Sequence, residues 1–266
     1  MSSATTTPDQ ARLERTVPPM GGLSGAILRL ELRRLLRNRR TVIFTVVMPV
    51  VFFLIFGVGQ KYSNDNAGHG NVAAYVMISM AVYGAMIATT SGGAMVSIER
   101  SLGWSRQLRL TPLTPVAYLA VKMLTAMTMG LASVVVTYCA GALSHARMDS
   151  HLWLVTGLIA WVGSLVFAAF GLFMGYLLPS DNVMQVLGPV LALLAFGGGL
   201  FVPLDQMGST FRQLAELTPM YGVNQLVHAP LTGASFDVLW VVNVLVWLAI
   251  FVAGAAWRFR KDTARV

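Results

Sequence analysis

Six apolar stretches of this chain run without a single Asp, Glu, Lys or Arg: residues 41–60, 66–98, 123–146, 152–180, 182–204 and 238–257. Each is long enough to supply the roughly 20 apolar residues that carry a helix across a hydrocarbon core. Lipid offers no water to backbone N–H and C=O groups, so segments of this kind satisfy those groups internally as helices. Charged residues make up 11% of the chain and the mean hydropathy is +0.67, against about 25% charged residues in an ordinary soluble domain. The pattern predicts an all-α polytopic membrane protein with six transmembrane helices.

The basic residues orient it. Sixteen of the 19 Lys and Arg fall on one side of a six-span arrangement, and only Lys61, Arg147 and Arg212 fall on the other. Acidic residues divide six to five, as expected when Lys and Arg alone set topology. Both termini are therefore expected in the cytoplasm, and basic clusters facing anionic lipid headgroups account for the net charge of +8 without nucleic acid. Residues 1–22 hold no apolar run of the signal-peptide kind and read as a flexible cytoplasmic tail. The first span would then direct insertion, and residues 258–266 form a second cytoplasmic tail.

Between tail and first span, residues 23–40 have helical period. Leu28, Leu32, Leu35 and Leu36 share one face and Arg29, Arg33, Arg37 and Arg40 another. Such a segment is too charged to span, so it is expected as an interfacial amphipathic elbow helix. Pro49 is expected to kink span one. Gly84, Gly92 and Gly93 mark span two for close helix contacts. Lys122 is expected to snorkel from the start of span three, and Cys139 to be a buried, inert thiol. His145 and His151 make a poor metal site. Span five ends on Gly197, Gly198 and Gly199, where the helix should unwind. Short outer-side amphipathic helices should follow, with Phe211, Leu214, Ala215 and Thr218 at helical spacing and a stop at Pro219.

Several chemistries are missing from the sequence. It has no phosphate-cradling glycine loop with a following Lys, no H-E-x-x-H and no G-x-S-x-G. No carboxylate is evident at membrane depth, as a proton-driven carrier would need, and no inverted repeat is apparent. No enzyme activity, metal site or cofactor of this chain's own is expected, and its energy source is expected to lie elsewhere.

One segment interrupts the apolar pattern: SIERSLGWSRQLRLTPLTP, residues 97–115, on the expected cytoplasmic side. Charged residues around Leu102, Trp104 and Leu108 suit either a docking helix or a loop that enforces topology. This segment is similar to the pattern ER-x-x-G-x-x-x-x-L-x-x-TPL-x-P of the ABC-2 type transporter permeases, a group that includes daunorubicin-type drug-resistance permeases and polysaccharide exporters. SLGW stands where that family often has a Glu-Gly or Lys-Gly pair. The basic stretch ending RNRR and the late LTPMYGVNQLV also resemble the family, over nearly the whole chain from Leu23.

The resemblance implies a six-span domain over 41–257 that pairs with a second permease chain, identical or not, and with two copies of an ABC ATPase subunit. That partner would hold the ATP and Mg. Glu99, Arg100, Leu102, Trp104, Leu108 and Arg109 would form the ATPase-coupling helix, with a second contact from the elbow helix. The function implied is export of an amphipathic or hydrophobic small molecule, such as a drug, antibiotic or lipid-like compound, across a bacterial plasma membrane. Phe52, Phe53 and Phe56 are candidates for the substrate path. A lipid-linked glycan exporter and a non-transporting membrane scaffold are the alternatives.

Overall fold

The computed structural model describes residues 24–103 and 114–263. Their order is α1 (Gly25–Arg37), α2 (Ile43–Val58), α3 (Val72–Ser101), α4 (Pro115–Ala142), α5 (Ser150–Gly163), α6 (Leu165–Leu177), α7 (Ser180–Gly197), α8 (Ser209–Glu216), α9 (Pro219–Thr232) and α10 (Val238–Thr263). Helix dominates the described residues, and the pairings outside it are the isolated bridges Asn66 with Asn71 and Gly70 with Met148. Among the described residues, four helical stretches are long and apolar enough to cross a membrane: α3, residues 116–142 of α4, the joined α5 and α6, and residues 238–260 of α10. The other two runs expected to span form the shorter apolar helices Ile43–Val58 and Asn182–Gly197.

Helix α3 is the hub, the most buried of the four long helices, packed against α4, α6 and α7. Its small residues permit this, as expected from the sequence. A Cβ on Gly93 would stand 2.5 Å from the Ala168 carbonyl oxygen, and one on Gly92 would stand 2.8 Å from Ala126 Cβ. Polar side chains on α3 complete the contact. Where α5 gives way to α6 at Ser164, the Ser164 carbonyl accepts from Thr89 Oγ1 at 3.2 Å, and the Phe167 carbonyl accepts from Thr90 Oγ1 at 3.2 Å. Buried hydroxyls are thereby satisfied at a helix break.

Pro49 acts as its chemistry requires. Its missing N–H deprives the Thr45 carbonyl of an α-helical donor, and Ser133 Oγ of α4 supplies one at 2.8 Å. The turns on either side, Ile43–Val47 and Leu54–Val58, are π-helical. Helix α7 ends at Gly197, and Gly199 takes the left-handed conformation (φ 80°) while Leu200 N–H reaches the Ala195 carbonyl at 3.0 Å. That is the hydrogen-bonded closure a glycine permits at a helix C-terminus. The chain then forms α8 and α9, with Thr218 capping α9 ahead of Pro219. Two short helices thus stand where the sequence predicted them. At that end His228 of α9 is buried, its ring centre 4.0 Å from that of Tyr75 at a tilt of 32° and its Nε2 3.1 Å from Ser79 Oγ.

Two expectations are corrected by packing. Cys139 is exposed on the surface of α4, because the inward face of that turn is taken by Thr137 and Tyr138. Lys122 does not reach outward. It is 3% exposed and enclosed by carboxylates.

Candidate functional site at the base of the 104–113 connection

The segment read as a cytoplasmic loop divides differently in space. Residues 97–101 continue α3 as its last turn, Gly103 follows with a left-handed φ of 74°, and α4 starts at Pro115 with Thr114 as its cap. Thr-Pro suits that position, since the hydroxyl accepts from Ala117 N–H at 3.3 Å and proline lacks only an N–H that the first turn leaves unused. Trp104, Leu108 and Arg109 lie outside the described residues.

What flanks the connection is a buried ionic cluster drawn from three elements. Glu99, near the end of α3, is 2% exposed. It accepts from Lys122 Nζ of α4 at 2.5 Å, from Arg34 Nη1 of α1 at 2.7 Å, and from the Tyr118 hydroxyl of α4. Lys122 also meets Glu31 of α1 at 3.0 Å. Two carboxylates and two cations therefore neutralise one another. An isolated charge at Glu99 or Lys122 would be strongly disfavoured by burial, and pairing offsets that cost. The spacing follows from the helices: Glu31 and Arg34 are three residues apart on one face of α1, as Tyr118 and Lys122 are four apart on α4.

Arg100 turns the other way. Its Nη1 donates to the carbonyls of Gly175 and Tyr176 at 3.2 and 3.0 Å, and its guanidinium lies 5.4 Å from the centre of the Tyr176 ring. A cation at the last carbonyls of α6 also favours the negative end of that helix dipole. Ser97 Oγ adds a bond to the Leu178 carbonyl at 3.0 Å. The last turn of α3 is thus fixed to α1 and α4 by Glu99 and to α6 by Arg100 and Ser97.

Of the residues singled out from the sequence, Glu99 and Arg100 face the bundle, whereas Leu102 is 70% exposed beside the connection. Glu99 was expected on a docking surface. Its burial instead makes it a link between helices. Glu31, Arg34, Tyr118 and the role of Lys122 were missed. The available signal was charge balance, because Glu99 and Lys122 each stand at the margin of an otherwise apolar segment and Glu31 is the lone acid of the basic 23–40 segment. The three phenylalanines separate as well. Phe53 is fully buried against the α3 side of α2, so it packs the core. Phe52 and the 48% exposed Phe56 join Tyr83 and Phe201 in a chain of rings with centroids 6.0, 6.3 and 5.2 Å apart.

The profile of the family described as "ABC-2 type transporter" matches residues 23–231, which includes α1, every member of the ionic cluster and the connection itself. This chain belongs to the ABC-2 type transporter family. It is also similar to a Bacillus subtilis (strain 168) protein whose provisional name is transport permease YvfS, with 26% identity over 238 residues, covering 88% of this chain and 96% of the relative. The chain is therefore a multi-pass membrane component of a transporter. Membership agrees with the apolar helices and with the lack of a nucleotide-binding loop in the sequence.

Proposed function

We propose that this chain is the permease subunit of an ATP-driven exporter, and that motion from a separate ABC ATPase enters it through the 104–113 connection. The observation that carries the reading is the buried Glu99 cluster. A push on the connection acts first on the last turn of α3 and the first turns of α4, and Glu99 with Lys122, Arg34 and Glu31 joins both to α1. Arg100 passes the same displacement to α6. Buried ion pairs resist being pulled apart because separation leaves charges uncompensated, so the four helices move together rather than sliding.

In this reading α2 and α7 complete six crossings and both termini are cytoplasmic, in a bacterial plasma membrane. Leu102, Trp104, Leu108 and Arg109 meet the ATPase, which binds the ATP and Mg. Two ATPase copies and a second permease chain complete the transporter. The cargo is an amphipathic or hydrophobic small molecule. The exposed, adaptable rings of Phe56 and Phe201 near Phe52 and Tyr83 support that class.

The test is co-reconstitution in nanodiscs with the cognate ATPase, comparing wild type, Leu102→Ala and the double change Glu99→Gln, Arg100→Gln. Leu102→Ala should weaken ATPase binding. The double change should leave binding largely intact and abolish the stimulation of ATP turnover by cargo. ATP turnover that responds to cargo equally in all three proteins would sink the coupling route.

A further inference from the structure

We propose that Arg33 and Arg37 hold the phosphate of an anionic membrane lipid against α1. Leu30, Arg33, Arg34 and Arg37 are the described walls of a groove of about 230 Å³. Arg33 and Arg37 are one helical turn apart and both exposed, and among the described residues neither has a carboxylate within ion-pair distance. Arg34, between them in sequence, is instead committed to Glu99 at 2.7 Å. The groove therefore holds two uncommitted guanidinium groups beside a third whose charge is already matched. Planar forks of this kind suit phosphate oxygens.

Three observations favour a lipid over a soluble anion or an acidic protein surface. The groove lies at the level where α3 ends and α4 begins, since Arg34 reaches Glu99 two residues before the last residue of α3. The chain that leaves α1 passes through the short helix Arg39–Val42 into α2, whose Ile43 and Phe44 are 53% and 56% exposed and apolar. Leu30 and Leu36, on α1 itself, are 67% and 59% exposed beside the arginines. Cations interleaved with exposed leucines, at the boundary between apolar and charged segments, match a headgroup with its acyl chains. Because Arg34 belongs both to the groove and to the Glu99 cluster, a bound headgroup lies in contact with the base of the connection. The proposal goes beyond the coupling reading and does not depend on it.

The full chain is reconstituted alone in phosphatidylcholine nanodiscs, and its preference for spin-labelled phosphatidylglycerol over spin-labelled phosphatidylcholine is read from the motionally restricted fraction. Each arginine at the headgroup level should contribute a preference of about five-fold. Arg33→Gln with Arg37→Gln should remove the share of the ratio that these two residues supply and leave only what the remaining basic residues contribute, Arg33→Lys with Arg37→Lys should keep most of it, and Arg212→Gln on α8 should leave it unchanged. A wild-type ratio near one, or an undiminished ratio in the double Gln variant, overturns the proposal. So does a wild type indifferent to phosphatidylglycerol whose ATPase binding requires Arg33 and Arg37, since the groove then serves a protein. If the Gln variant does not fold, salt decides on wild type alone: the preference must fall as the Debye length shrinks from about 10 Å at 0.1 M to about 3 Å at 1 M, and a constant preference overturns it. No arm uses ATP turnover, so failure here leaves the coupling route standing.

Discussion

Replacing Glu99 tests the ionic cluster most directly. The side chain is 2% exposed and accepts from Lys122, Arg34 and Tyr118. Glu99→Ala removes all three bonds and leaves Lys122, itself 3% exposed, with Glu31 as its remaining carboxylate. Breaking a buried pair in this way costs about 3–5 kcal/mol. The Arg34 arm adds little, because that side chain is 44% exposed and its pairing is screened by solvent. Glu31 recovers part of the loss, so the lower end, about 3 kcal/mol, is expected. At about 2–4 °C per kcal/mol for a chain of this size class, the melting temperature should fall by roughly 6–12 °C. The assay is thermal unfolding in nanodiscs, followed by intrinsic fluorescence, for wild type, Glu99→Ala, Lys122→Met and the double variant. Lys122→Met alone leaves Glu99 and Glu31 to share Arg34 as their cation and should also destabilise, whereas the double variant should lose less than the sum of the singles by about 1–3 kcal/mol. Strict additivity, or a drop under about 2 °C for Glu99→Ala, would show that the cluster does not hold these helices together.

The packing of α3 and the buried histidine give two further expectations. Gly93→Ala places a methyl 2.5 Å from the Ala168 carbonyl oxygen and should cost about 1–3 kcal/mol by overpacking, read as lower thermal stability, while Gly188→Ala, whose Cβ would meet nothing within 4 Å, should be near neutral. Burial of His228 in α9, outside the candidate spans, pushes its pKa down to about 4 from 6.5. The unfolded chain then binds the proton first. Stability should be at its full value above pH 6.5 and fall by about 1.4 kcal/mol per pH unit from there to pH 4. His228→Phe should flatten that slope in melting curves taken across the range, and an unchanged slope would refute the assignment.

Much of the architecture was legible because lipid imposes it on sequence. Charge-free runs, the leucine and arginine faces of residues 23–40, Pro49, the Gly197–Gly199 stop and the Thr218–Pro219 start are local signals, and each has a local counterpart in the helices. The 97–115 segment was recognisable through its Glu-Arg and Thr-Pro-Leu elements, since those residues serve a helix end and a helix start. The site was less legible. A separate docking helix or a topological loop was expected where residues 97–101 finish α3, because charges at the end of an apolar run look the same whether they meet water, a partner or one another.

By itself, then, the sequence determined the apolar helical class, the placement of most helix boundaries, and the family. Hydrophobic run length, capping residues and proline act within a few residues of themselves, so one dimension suffices to read them. Only the tertiary structure decided which charges are buried, that Lys122 faces Glu99 and Glu31 rather than the interface, that Cys139 points outward, and that Phe53 packs the core while Phe56 does not. Those outcomes depend on which face of each helix meets a neighbour. Glu31, Glu99 and Lys122 come from segments 23 to 91 residues apart, and a periodic pattern fixes the faces of one helix without saying which helix will cover them.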